Sequence, residues 1–337
     1  MNESATTVGT GAVGETTRPR EAAWLPAVGK WLLQGVGFFV VLTLISFLIV
    51  QLAPGDAVLS MLRIDTVAVT RDEIEALRTE LGLNDPMWQQ YLRFLGGVFH
   101  GDFGNSLMTG KPVMAALSTS FPYTLLLAGA TMLAVVVLTF ALGGLAALHE
   151  GRLVDRVVGV FCLAGAAVPT FWLGLLLIDL FAVRLGLLPS SGLNKPAGLI
   201  LPTVALAVAI APPYIKILRN SLIEASQREF VRAARARGVE EPVIFAKHTL
   251  RDSLIPLVTI LGVSLGSLLG GTIIVEITFG IPGVGKLAVE ALARRDYGVI
   301  QAFIILVGMC VFVINMLVDL SYRILDPAIS LKGAEHR

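Results

Sequence analysis

Residues 280–287 read Gly-Ile-Pro-Gly-Val-Gly-Lys-Leu, so Gly280, Gly285 and Lys286 stand one residue short of a phosphate-cradling loop. In such a loop glycines let backbone N–H groups close on phosphate oxygens. A lysine reaches the terminal phosphates, and a following Ser or Thr hydroxyl holds magnesium. Leu287 has no hydroxyl. A second near match, Gly9 and Gly14 followed by Glu15 and Thr16, puts an acid where a cation is needed. Neither stretch makes a complete nucleotide site.

The other residues able to do chemistry are few. Asp179, Glu276 and Asp319 lie in apolar runs, where a charge costs about 2.5–3.5 kcal/mol at mid-membrane and therefore faces protein or water. Asp179 and Asp319 sit near the ends of their runs, which suits local pairing or interfacial solvation. Glu276, beside Gly270, Gly271 and the Pro-Gly pair at 282–283, is the best candidate for a pathway or gate residue. Pro212 and Pro213 break backbone hydrogen bonding within another run and mark a hinge or a helix end. His100, His149, His248 and His336 lie outside the apolar runs, and no cluster has metal-ligand spacing, so no metal or cofactor is expected. Cys162 and Cys310 fall inside apolar runs and read as small buried hydrophobes.

The elements that position these residues follow from composition. Of 337 residues 55% are hydrophobic and 15% charged, against about 25% charged in an ordinary globular domain. The net charge of +1 gives no reason to expect nucleic acid. About six stretches are long and apolar enough to span a bilayer: 31–53, 123–148, 157–183, 199–217, 254–277 and 299–321. The fold class is thus an all-α membrane protein with an external domain between the first two helices. Residues 1–25 read as a disordered tail and 26–53 as the first transmembrane helix; 54–121 is the external region, 122–325 the membrane core and 326–337 a second tail.

Arg219, Arg228, Arg232, Arg235, Arg237, Lys247 and Arg251 crowd the connection between the fourth and fifth spans. The positive-inside bias puts that connection, and with it both termini, in the cytoplasm. Gly280–Leu287 then lies on the far side, away from cytoplasmic ATP. In the external region Thr70 and Glu73 form a capping box, and residues 85–97 read as a second helix. That region is either a lid on the membrane helices or a docking platform. In the cytoplasmic loop 218–253, Ser226 reads as an N-cap, Gly238 as a left-handed C-cap, and Glu241-Pro242 as the start of another short helix. Small residues Ala233, Ala234 and Ala236 among basic ones make a compact knob.

Residues 31–330 resemble the permease subunit of an ATP-binding-cassette (ABC) importer of the dipeptide, oligopeptide and nickel branch. Residues 230–256 are similar to its EAA coupling loop, with Ala233, Ala234 and Gly238 on the Ala-Ala-x3-Gly core. Arg232 replaces the Glu that names the motif, and Pro256 comes later than the general pattern has it. Residues 100–106 (with Asp102 and Gly104), 270–301 (with Asp296) and 315–327 resemble signatures of the branch; Gly298 stands where Pro is commoner.

The resemblance implies a type I importer core in a bacterial inner membrane. It implies pairing with a second, homologous permease, two ATP-binding subunits inside, and an extracytoplasmic substrate-binding protein delivering peptides, nickel or nickel chelates. The chain itself would not be an enzyme. A secondary transporter driven by an ion gradient is the alternative; it predicts buried ion-coordinating carboxylates and inverted repeats, neither of which is clear here. An intramembrane enzyme would need a nucleophile and base at matching depths, and no such set is present.

Overall fold

A computed structural model describes residues 25–52, 84–193, 195–245 and 272–325 in continuous stretches, with isolated positions in 75–79 and 249–270. The capping box at Thr70, most of the expected span 254–277, Pro256, Gly271, the Asp319 side chain and both tails lie outside the described residues. By packing, the chain divides into residues 1–40 and residues 41–337. Among the described residues, the first unit contributes only the N-terminal part of α1 (Leu25–Leu52). Everything below concerns the second.

After α1 come α2 (Met87–His100), α3 (Val113–Leu138), a π-helical turn (Thr139–Gly143) and α4 (Gly144–Leu148). Next are α5 (Leu153–Ala167) and α6 (Thr170–Leu177), the latter continued by a π-helical turn (Ile178–Arg184). A 3-10 turn (Pro196–Leu199) leads into α7 (Ile200–Gln227), followed by α8 (Glu229–Ala236), α9 (Glu241–Ile244), α10 (Val284–Ala293) and α11 (Tyr297–Leu325). Among the described residues, four helical stretches are long and apolar enough to cross a membrane, or five if one bent pair counts as a single span.

The bent pair departs from the sequence expectation of one run over 157–183. The helices meet at 105°. Proline sterics bias the preceding residue away from helix, and Val168 accordingly takes φ −82° and ψ 125° ahead of Pro169. The next departure is the length of the second span, because the helix begins at Val113 and carries Pro122 inside it. The apolar count starts only after Pro122, whereas the turns before it are held by packing: Val113 and Leu117 are buried.

Helix α7 is the hub. In its most apolar window 56% is buried, against 17–28% for the other spanning helices, so α7 carries the core while they leave most of their apolar surface on the outside of the chain. Tyr214, Leu218 and Leu222 pack with Val135 and Cys162; Leu206 packs with Leu127 and Phe279. The helix runs straight through Pro212 and Pro213 to Gln227, so neither proline ends it. Pro212 has no N–H for the Val208 carbonyl four residues back. At that height Gly165 of α5 comes so close that a Cβ on it would sit 2.6 Å from Val208 O. Glycine thus lets α5 approach where proline has freed a carbonyl, a geometry in which a Cα–H can lean on it.

Replacing Gly165 with Val should therefore force the two helices apart at the hub. We expect a loss of about 1–3 kcal/mol of stability, the usual cost of overpacking, read as a lower thermal midpoint of the detergent-solubilised protein, with Gly159→Val, which meets no atom within 4 Å, as the tolerated control.

Candidate gate and coupling site

The near phosphate loop does bind an anion, and the anion is the protein's own. Residues 272–278 form a helical segment that ends in a cap: Ile281 N donates to Glu276 O at 2.8 Å, with Gly280 at φ 63°. The chain then turns through Pro282 and Gly283 into α10. Glu276 is fully buried, and its carboxylate lies against the N-terminus of α10. Oε2 accepts the backbone N–H of Lys286 at 3.0 Å, and Oε1 accepts the Thr124 hydroxyl of α3 at 2.6 Å. The Thr124 oxygen in turn accepts Val284 N–H at 2.9 Å. The helix end offers unpaired N–H groups and a partial positive charge, which suit a carboxylate.

Glycines make room for it. A Cβ on Gly283 would overlap the Glu276 carboxyl group, and one on Gly285 would sit 2.9 Å from Oε2 and 2.6 Å from Ile273 Cγ1. Meanwhile the Lys286 ammonium turns to Glu290 one turn on, at 3.8 Å. The residue that would reach a phosphate is thus placed along its own helix.

A second buried carboxylate pins the neighbouring turn. Asp296 directly precedes α11 and is fully buried; its Oδ2 accepts the Ser106 hydroxyl at 2.6 Å and Met108 N–H at 3.2 Å. Its Oδ1 has no hydrogen-bond partner among the described residues. Ser106 belongs to a tight loop in which Asp102 Oδ1 accepts Gly104 N–H (2.9 Å), Gly104 takes φ 72°, and Val113 N donates to Gly104 O (3.0 Å). Gly298 lies so close that a Cβ there would stand 2.8 Å from Phe103 O. The loop at 102–113, the start of α3, α10 and the start of α11 therefore form one hydrogen-bonded block, with Val113, Val284, Ala291 and Val299 as its apolar filling.

The remaining candidates lie elsewhere. Asp179 pairs with Arg184 at 2.8 Å on an exposed face. Gly270 is exposed, with open space around its Cα. The structure brings neither to Glu276.

At the opposite end of α7 stands the knob. Helix α8 starts from Arg228 (φ −67°, ψ 153°) rather than from Ser226, because α7 continues to Gln227 and the Ser226 hydroxyl donates back to Ile223 O at 2.7 Å. Val231 is buried, while Arg232, Ala233 and Ala236 are exposed and Ala234 is half-buried. Gly238 sits at φ 78° and closes the helix, with Val239 N donating to Ala234 O at 3.2 Å. A left-handed residue is needed there, which glycine supplies without a Cβ penalty. Phe230 (40% exposed) and Val243 (39%) add apolar surface to the basic knob.

Sequence reasoning missed three partners. Thr124 was hidden in an apolar run, although a lone hydroxyl at membrane depth is itself a signal. Ser106 stood within residues 100–106 without a role of its own. Arg219, counted only as cytoplasmic charge, grips Asp155 through two contacts of 2.6 Å and ties the first turn of α5 to α7.

Comparison with known proteins decides the family. The model of the binding-protein-dependent transport system inner membrane component matches residues 139–331, and its N-terminal companion matches 30–128. The chain belongs to that family. It is thus an ABC importer permease, a multi-pass inner-membrane protein. It is 35% identical over 311 residues to a protein named as a peptide permease in Brucella suis biovar 1, covering 89% of this chain and 97% of that one. It is 37% identical over 304 residues to the glutathione transport system permease protein GsiC of Pectobacterium atrosepticum, covering 90% and 98%. The inward-facing MetNI methionine ABC transporter superposes with a TM-score of 0.54 at 21% identity, over 63% of this chain and 97% of that chain, and so shares the fold. That match supports the type I core expected from the sequence.

Removing the internal anion should unfasten α10. In Glu276→Ala the Lys286 N–H and the Thr124 hydroxyl lose their acceptor inside the protein, at about 1–3 kcal/mol per group. Glu276→Gln keeps one carbonyl acceptor and should lose less than half as much. Thermal unfolding of the permease in detergent separates the two; equal loss, or none, would sink the clamp.

Proposed function

We propose that this permease carries small peptides, with glutathione-like tripeptides in their range, across the cytoplasmic membrane. The observation that supports this reading is near full-length similarity to relatives named for peptide and glutathione transport. Nickel or its chelates remain the second cargo class on branch resemblance. The chain contributes the path jointly with a second, homologous permease, two ATP-binding subunits supply the energy, and an external binding protein delivers the cargo. Both termini face the cytoplasm, in keeping with the basic loop at Arg219–Arg251.

The roles divide by end of the molecule. The knob of Arg232, Ala233, Ala234 and Gly238, with Pro256 beyond it, docks on an ATP-binding subunit; exposed alanines let a partner approach closely, and the arginines give it charge complementarity. Pro212 and Pro213 are the flexible point between the knob and the outer block. Gly270 and Gly271 allow the partner permease's helices to approach. Glu276 acts at the outer gate by holding α10 in place, and Asp179 sits at the path's rim. Asp102, Gly104 and Asp296 shape the external face that meets the binding protein.

The deciding experiment uses the assembled complex with its binding protein in nanodiscs. ATP hydrolysis is titrated with dipeptides, glutathione, nickel ion and nickel chelates. Stimulation by peptides or glutathione alone supports the proposal; stimulation by nickel species alone replaces it with metal uptake. Gly238→Val should abolish cargo-stimulated hydrolysis, a loss of at least tenfold, while leaving the amount of membrane-inserted permease unchanged. Unaltered hydrolysis would remove the coupling role from the knob.

A further inference from the structure

Helix α2 is amphipathic, yet none of its residues is buried. At about 100° per residue, Tyr91, Phe94 and Val98 share one face and Trp88, Leu92 and Leu95 the next, while Gln89, Arg93 and His100 lie opposite. The first face packs on α1. The Tyr91 and Thr43 hydroxyls are 3.0 Å apart, the Phe47 ring lies 5.5 Å from Tyr91 and 5.9 Å from Phe94, and Gln51 donates to Gln90 at 2.8 Å. The second face is open: Trp88 is 62% and Leu92 56% exposed.

The contacts on the first face fix how deep the helix lies. Leu52 ends both α1 and its apolar span. Thr43 and Phe47 stand nine and five residues before that end, which at 1.5 Å per residue is about 13 and 7 Å inside it. A second ruler agrees. Ser46 donates to the carbonyl of Gln301, and α11 begins its own span at Tyr297, so that level is about 6 Å inside the span. At the same height the outward side chains of α1 are Leu44, Ile45 and Leu48, each more than a third exposed. Such a surface belongs at hydrocarbon depth.

We propose that α2 lies in the membrane interface rather than above it, with Trp88, Leu92 and Leu95 facing lipid acyl chains. Gln89, Arg93 and His100 face headgroups and water, and Arg93 is held toward that side by its ion pair with Asp85 at 2.6 Å. The arrangement is that of an in-plane amphipathic helix, with a tryptophan at the boundary. The occupant of the open stripe is lipid, and the binding protein has to dock elsewhere on the external face.

The test reads Trp88 itself, so the stripe stays intact. Trp24, Trp31 and Trp172 are replaced by Phe, the emission of a matched complex that also carries Trp88→Phe is subtracted, and the assembled complex is placed in nanodiscs with or without brominated phosphatidylcholine. Bromolipid should quench Trp88 emission about twofold or more, as expected for an interfacial ring, while aqueous iodide acts far more weakly than on free tryptophan. Strong iodide quenching without a bromolipid effect would put α2 in water and overturn the proposal. Protection from both quenchers would place a protein partner over the stripe and overturn it equally.

Discussion

A buried carboxylate at the mouth of a helix is the constraint on which this end of the permease depends. Glu276 belongs to the helical segment that leads out of the membrane, the N–H groups it accepts or approaches belong to α10, and the hydroxyl that completes the set belongs to α3. Three elements, one of them 152 residues away in sequence, thereby meet at one charge. Each contact alone is a modest hydrogen bond, but in a site with no exposure the cost of leaving any of them unmade is larger than the gain from making it. The turn from residue 279 to residue 286 has no regular structure of its own over most of its length. What fixes it is the anion inside it.

The same logic explains the glycines. A phosphate loop and this turn solve the same problem, bringing several N–H groups onto one anion, and both need backbone without side chains. Gly283 and Gly285 cannot gain a Cβ without meeting Glu276, whereas Gly280 supplies the left-handed residue that ends the preceding helix. The resemblance to a nucleotide-binding pattern is therefore physical, and its meaning lies in the partner. An external phosphate would need a mobile lysine; here Lys286 lends its backbone N–H to the carboxylate and its ammonium to Glu290.

Much of this was legible before any coordinates. Apolar run length gave the spans at 199–217 and 299–321, because burial in lipid demands nothing more than length and the lack of charge. Gly238 was legible as a C-cap because no other residue fits φ 78° as readily. What escaped was long-range. The pairing of Ser106 with Asp296 joins residues 190 apart, and that of Thr124 with Glu276 joins residues 152 apart. Neither partner carries a local pattern. The break at Pro169 was visible in principle, since the residue before a proline avoids helix, but hydropathy averages over such a break and reported one span. Ser226 failed as an N-cap for a related reason: α7 is held by its buried face as far as Ala225, and tertiary packing carried the helix past a good local stop.

The Glu276 turn and the knob lie at opposite ends of the same hub. Helix α7 runs from the core that holds Phe279, next to the Glu276 turn, down to Arg228 where α8 begins. Between them it contains Pro212 and Pro213, where two backbone hydrogen bonds are absent and Gly165 permits a close neighbour. A helix with satisfied bonds throughout transmits a push as a rigid rod. One lacking two adjacent bonds can bend there at little cost, provided that its neighbour is packed by glycine rather than by an interlocking side chain. The Glu276 and Asp296 turns are tied to neighbouring elements by hydrogen bonds, the knob is closed by Gly238 over the buried Val231, and the middle of α7 lacks two backbone bonds. Under the proposed function that distribution would suit an importer, with firmly held ends to meet its partners and a helix free to bend between them.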